Sequence, residues 1–236
     1  HEVQMEEKHT NRHKIALITG ASSGIGESFA RKLSSQGYGL ILVARRKDRL
    51  EKLSSELRKT YSIPIDVLST DLSKEKDVIE IEERIAKAGN IAVLVNNAGF
   101  GTRDHFVEVD IGKSVDMINV HIVASTRLTR AILPQMIKRN EGVIINVSTI
   151  VSETPGPSRV VYTATKSYLN SFSRSLQAEI REKGLAIKVR AILPGLTDTE
   201  FFSTEEYGYS GIGDDRQKYA RPPEEVVEAA LDSLAG

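Results

Sequence analysis

Tyr162 and Lys166 are the residues whose types and spacing carry the sharpest chemical content in this sequence. Four positions apart, they share one face of a helix. A phenol with an ordinary pKa of about 10 is a poor base at neutral pH, but an adjacent ammonium or an oxidised nicotinamide stabilises the phenolate. Such a pair can take a proton from an alcohol, or give one to a carbonyl oxygen, near pH 7. Tyr/Lys pairs are also common on ordinary helix surfaces, so the meaning of this one depends on its surroundings.

The second feature is Thr19-Gly20-Ala21-Ser22-Ser23-Gly24-Ile25-Gly26, which follows an apolar run and opens into a helical pattern. Glycines there allow a tight turn and close approach of the backbone. The free N–H groups and positive dipole of the helix N-terminus then suit a pyrophosphate. The competing reading is a strand–helix turn with no ligand. A third feature closes the next apolar run, Leu42-Val43-Ala44-Arg45-Arg46, where no acid stands to accept hydrogen bonds from a free adenosine ribose. A guanidinium at that place can instead bind a 2′-phosphate bidentately; otherwise the two arginines are a solvated helix start.

Lys14 to Thr19, Leu40 to Val43, Pro64 to Leu68, Ile91 to Asn96, Gly142 to Ser148 and Ala186 to Leu193 read as strands that hold these groups. They are apolar throughout, as strands buried on both faces of a parallel sheet are. Helical patterns lie between them near 24–37, 47–60, 74–88, 112–139, 160–183 and 222–235. Strict strand–helix alternation predicts an open, doubly wound α/β sheet that binds its ligand at the carboxyl ends of the strands. Residues 200–221 break the pattern and read as a flap over the substrate. Phe201, Phe202, Tyr207, Tyr209 and Tyr219 give that flap an apolar or aromatic lining, or else pin the loop down. The polar residues 1–13 read as disordered or carried over from cloning, with Met5 a candidate start, and residues 14–236 as one domain.

The G-x-x-x-G-x-G spacing, Asn96-Asn97-Ala98-Gly99 and Tyr162-x-x-x-Lys166 occur in that order, and together they resemble the short-chain dehydrogenase/reductase family over residues 14 to 235. The resemblance implies a three-layer Rossmann-type fold with a mainly parallel sheet, here of six strands, the family's seventh edge strand being absent. It implies a cofactor site of Gly20, Ser22, Ser23, Gly24, Ile25, Gly26, Arg45, Arg46, Asp71, Leu72, Asn97, Ala98, Gly99, Tyr162, Lys166, Pro194, Gly195, Thr197 and Thr199. Ala44 stands where NAD-preferring relatives carry Asp, and with Arg45 following it NADP(H) is expected over NAD(H). Asp71 resembles the adenine contact, although it can equally cap a helix. Thr199 resembles the hydroxyl partner of the nicotinamide carboxamide.

The family's mechanism makes Tyr162 the proton donor and acceptor and has Lys166 orient the nicotinamide ribose. Its serine, which polarises the substrate oxygen, falls on Thr149 when counted without a gap from Tyr162, with Ser148 the competing hydroxyl. The family's asparagine, which helps hold a proton-relay water, falls on His121, two residues after Asn119. An imidazole there either anchors the relay and adds a titration between pH 5 and 8, or fills the slot with a satisfied hydrogen bond.

Composition narrows the classes. Lys+Arg and Asp+Glu both number 32 and are interspersed, so neither a nucleic-acid footprint nor a polybasic membrane patch is expected. The absence of cysteine excludes disulfides and thiolate catalysis, and a reducing cytoplasm fits. No acidic cluster accompanies His105 or His121 at ligand spacing, so no metal is expected. The leading expectation is an NADP(H)-dependent carbonyl reductase or alcohol dehydrogenase acting on a small molecule, as a homodimer or homotetramer. The alternative is a cofactor-sensing or scaffold protein on the same fold, which would not need a phenol activated by an ammonium. An epimerase of the family's longer branch is disfavoured by the lack of a C-terminal substrate domain.

Overall fold

The computed structural model describes residues 13–200 and 220–234. Its elements run β1 (Ile15–Thr19), α1 (Gly24–Ser35), β2 (Gly39–Ala44), α2 (Lys47–Tyr61), β3 (Ile65–Ser69), α3 (Glu75–Ala88), β4 (Ile91–Asn96), α4 (Ile111–Ile118), a π-helical stretch (Asn119–Ala124), α5 (Ser125–Arg139), β5 (Gly142–Val147), a short 3-10 turn (Ile150–Glu153), α6 (Val160–Glu182), β6 (Ile187–Ile192) and α7 (Pro223–Asp232). The strands form one six-stranded sheet in the order β3-β2-β1-β4-β5-β6, every pair parallel. This is a Rossmann-type α/β fold. The chain order reverses between β1 and β4, which opens a crevice at the carboxyl ends of those strands.

Strand periodicity sorts the core into two layers. Ala16, Ile18, Leu40 and Leu42 face Phe29 and Leu33 of α1, Leu50 and Leu57 of α2, and Val227 and Ala230 of α7. Leu17, Ile41 and Val43 face the other way, against Ile81 of α3, Leu128 and Ile132 of α5, and Ile180 of α6. Helices on both faces explain why these strands are apolar throughout.

The middle of the sheet carries a buried polar ladder. Asn96 Nδ2 donates to Thr129 Oγ1 at 3.2 Å and to Asn146 Oδ1 at 2.8 Å, and Asn146 Nδ2 donates to Ser173 Oγ at 2.8 Å. The ladder fixes β4 and β5 against α5 and α6, the helices that bear His121's neighbours and the Tyr162–Lys166 pair.

The helical pattern read over 112–139 is one continuous helical path that widens to a π turn at Asn119–Ala124. The extra residue in that turn accompanies burial of Val120, His121 and Ala124 together. Most of the segment read as a flap, including its five aromatic residues, lies outside the described residues. Its base is clamped: Thr197 and Arg221 form a parallel bridge, with Asp198 N–H donating to the Arg221 carbonyl at 2.9 Å and Arg221 N–H to the Leu196 carbonyl at 3.0 Å. Among the described residues no helix is long and apolar enough to cross a membrane.

Candidate active site

A cleft of about 380 Å³ lies over the carboxyl ends of the strands, within the size range of small-molecule sites. Its floor is the glycine turn after β1. Gly20 and Gly24 adopt φ of +66° and +56°, and a Cβ on Gly20 would come 2.7 Å from Asn97 Nδ2. Asn97 braces this turn from below, donating through Nδ2 to the carbonyls of Thr19 at 3.0 Å and Gly20 at 3.2 Å. Thr19 Oγ1 accepts from the N–H groups of Asn97 and Ala98, both at 3.0 Å, locking the turn to the end of β4. Gly26 lies beneath the turn, where a Cβ would come 2.2 Å from the Gly20 carbonyl oxygen.

Of the cofactor residues expected from the sequence, all but Gly26 border this cleft. Ser22 and Ser23 accept from Arg46 Nη2 at 3.1 and 2.7 Å, and Arg45 lies beside them at the rim. Asp71 Oδ1 accepts from the Ser73 N–H at 3.0 Å, so its carboxylate shapes the turn before α3 while also facing the cleft. On the far side, Pro194, Gly195, Thr197 and Thr199 close the wall after β6, with the Pro194 carbonyl held by the Ile150 N–H at 3.0 Å.

At the opposite end stand Tyr162 and Lys166, one turn apart on α6 and both buried, with Lys166 Nζ 5.9 Å from the centre of the phenol ring. Lys166 Nζ donates to the Val147 carbonyl at the end of β5 at 2.8 Å. Burial pushes the Lys166 pKa down to about 8, because an apolar surrounding penalises the ammonium. The two candidate hydroxyls differ in their commitments. Both border the cleft, but Ser148 Oγ donates to the Lys166 carbonyl at 3.0 Å, tying β5 to α6, whereas Thr149 caps the following 3-10 turn only weakly, accepting from Val151 N–H at 3.5 Å.

His121 sits behind the cleft rather than in its wall. Its Nε2 accepts from the Phe100 N–H at 3.2 Å, which leaves the ring proton on Nδ1. Nδ1 lies 2.8 Å from Thr165 Oγ1, which in turn donates to the Tyr162 carbonyl at 2.9 Å. The ring meets the Tyr162 ring edge-on with centres 6.0 Å apart. Burial first, and then the nearby Lys166 charge, push its pKa well below the ordinary imidazole value. This geometry favours the satisfied, neutral imidazole over the titrating one. Gly99 is tied to this arrangement, since a Cβ there would come 2.6 Å from His121 Nε2.

Phe100, Lys113, Asp116 and Glu200 also border the cleft and were not singled out from the sequence. Lys113 and Asp116 read as an ordinary polar helix face. Glu200 reaches Arg46 and Arg49 from 154 and 151 positions away, and no local pattern signals such a contact.

A dinucleotide fits this cleft. The glycine turn leaves no space for side chains where phosphates approach the α1 N-terminus, guanidinium groups stand at one end, and a phenol with a buried amine stands at the other.

Comparison with known proteins agrees with that geometry. The profile of the family described as short chain dehydrogenase matches residues 14–208. A very-long-chain 3-oxoacyl-CoA reductase of Anas platyrhynchos is 33% identical over 224 residues, covering 93% of this chain and 68% of the relative. The structure of a short-chain dehydrogenase from Sphingobium yanoikuyae in complex with NADPH superposes with a TM-score of 0.85 at 32% identity, covering 94% of this chain and 84% of that one. An alcohol dehydrogenase of the archaeon Thermococcus sibiricus, complexed with 5-hydroxy-NADP, gives a TM-score of 0.81 at 30% identity over 95% of this chain and 92% of that one. With the fold, the glycine turn and the Tyr162–Lys166 pair in place, the chain belongs to the short-chain dehydrogenase/reductase family of oxidoreductases.

Proposed function

We propose that this protein is an NADP(H)-dependent oxidoreductase that interconverts a small-molecule carbonyl compound and its alcohol. The observation that carries the reading is the placement of Tyr162 and Lys166 at one end of a cleft whose other end is the glycine turn with Arg45 and Arg46. The NADPH-bound Sphingobium structure supports the choice of cofactor class, and the two arginines, with no acid at the tip of β2, support the phosphorylated form.

Gly20, Ser22, Ser23, Gly24, Ile25, Arg45, Arg46, Asp71, Leu72, Asn97, Ala98, Gly99, Pro194, Gly195, Thr197 and Thr199 would hold the cofactor, with Gly26 keeping the turn closed. When bound, the nicotinamide supplies the hydride donor or acceptor. Tyr162 then moves the proton at its phenolic oxygen, giving it to the carbonyl in reduction and taking it from the alcohol in oxidation. Lys166 lowers the cost of the phenolate by its charge, and its depressed pKa lets it exchange protons near neutral pH. Thr149 donates a hydrogen bond that orients the substrate oxygen, while Ser148 holds Lys166 through the backbone. His121 stays neutral and positions the Tyr162 turn through Thr165.

A panel of aldehydes, ketones and diketones, assayed by consumption of NADPH and separately of NADH, tests the reading. Turnover faster with NADPH than with NADH is expected. Tight NADPH binding with no turnover of any carbonyl would favour the cofactor-sensing alternative instead.

A further inference from the structure

The rim of the cleft beside the glycine turn holds an ion cluster that the proton chemistry does not use. Arg46 donates through Nη1 to Glu200 Oε2 at 2.7 Å while its other nitrogens hold Ser22 and Ser23. Arg49, one turn into α2, donates through Nη1 to Glu200 Oε1 at 2.6 Å and Oε2 at 2.7 Å. One carboxylate thus spans two guanidinium groups. Arg49 first and Arg46 second hold its pKa below the usual carboxylate range, so it stays ionised through the neutral range. All three side chains are between 40% and 44% exposed, open to an arriving ligand.

Glu200 is also anchored to the phosphate-cradling turn. Its neighbour Thr199 packs on Gly24, where a Cβ would come 2.9 Å from Thr199 Cγ2. Two oxygens of a carboxylate across two guanidiniums present the acceptor arrangement that two oxygens of a phosphate monoester would present. A phosphate dianion and a carboxylate cannot share these arginines without like-charge repulsion.

Resting on the NADP(H) reading, we infer that Glu200 is an intramolecular stand-in for the cofactor's 2′-phosphate: carboxylate and phosphate compete for Arg46 and Arg49, and a phosphorylated dinucleotide binds by displacing Glu200. NADH carries a hydroxyl at that position and has nothing with which to displace the carboxylate. Glu200 therefore lowers the affinity for NADPH below what the arginines alone would give, and it makes the position of residue 200, at the clamped base of the 200–221 segment, respond to the presence of a 2′-phosphate. Arg49 becomes part of the phosphate site together with Arg46.

The test is fluorescence titration of the full chain and of Glu200→Gln with NADPH, NADH, 2′,5′-ADP and 5′-AMP. Loss of the half-exposed ion pairs should tighten NADPH and 2′,5′-ADP by about 3- to 10-fold while NADH and 5′-AMP change by less than about twofold. NADPH affinity that is unchanged or weakened in Glu200→Gln, in a wild-type protein that does prefer NADPH, overturns the competition and leaves the cofactor reading standing. Equal binding of NADPH and NADH in both the wild type and Glu200→Gln overturns the cofactor reading and the inference with it. Because NADH binding reports the integrity of the rest of the cleft, a general folding defect would be visible as a loss common to all four ligands.

Discussion

The buried Lys166 ammonium should leave a specific signature in the pH dependence of stability. Its pKa is about 8 in the folded protein, against 10.5 for an exposed lysine. Between those values the unfolded chain binds more protons than the folded one, so stability rises with pH across that window. The contribution is fully present above pH 10.5 and is lost as pH falls through 8. A shift of about 2.5 units corresponds to about 3 kcal/mol, of which about 1 kcal/mol is regained between pH 7 and pH 9. The perturbation is Lys166→Met, which keeps the volume and removes the titrating group. Other groups titrate in the same range, so the measured quantity is the difference in unfolding free energy between wild type and Lys166→Met, from urea denaturation at several pH values. That difference should move in favour of wild type by about 1 kcal/mol from pH 7 to pH 9, and further above it. The variant also loses the bond to the Val147 carbonyl, but that loss is independent of pH and cancels in the slope. A flat difference would refute the claim that burial depresses this lysine, and with it the proposed proton exchange near neutral pH.

Three further expectations concern the turn, the imidazole and the surface. Gly26→Ala should destabilise the protein by about 1–3 kcal/mol in thermal melts and weaken dinucleotide binding, because its Cβ cannot coexist with the Gly20 carbonyl; an unchanged melting temperature would contradict the packing. His121→Asn should leave the pH–rate profile between pH 5 and 8 unchanged, since the imidazole is already neutral there, and loss of an apparent pKa in the variant would contradict that assignment. Ile111, Val115 and Ile118 form an exposed apolar stripe along α4, so light scattering should give a dimer or tetramer for the wild type and a smaller species for Ile111→Glu/Val115→Glu; a monomeric wild type at micromolar concentration would refute the oligomer.

What the sequence reveals of this fold follows from short-range physics. Leu40 to Val43 is apolar on both faces because helices cover both, so the strand, its parallel class and its flanking helices are all legible from one run of residues. The glycine turn is legible because only glycine tolerates both the positive φ at Gly20 and Gly24 and the backbone approach at Gly26. Counting from Tyr162 ranks Thr149 over Ser148, but the bond from Ser148 to the Lys166 carbonyl is a contact across 18 positions that counting does not reveal. The π turn at Asn119–Ala124 leaves no compositional mark, since one added residue barely alters a helical period over 112–139. Glu200 reads as one acid in a mixed-charge loop, because its partners Arg46 and Arg49 lie more than 150 positions away. His121 was legible as a departure from the family pattern, but its neutrality depends on the Phe100 N–H and on Lys166, which only the folded chain brings together.

In Tyr162→Phe, cofactor binding and carbonyl turnover, measured side by side, separate the cleft's binding role from its chemistry. The variant should bind NADPH within about twofold of wild type, while turnover of every carbonyl accepted by the wild type falls by about 100- to 10,000-fold. Retention of turnover within about tenfold of wild type would contradict the assignment of the proton transfer to Tyr162, whatever the substrate.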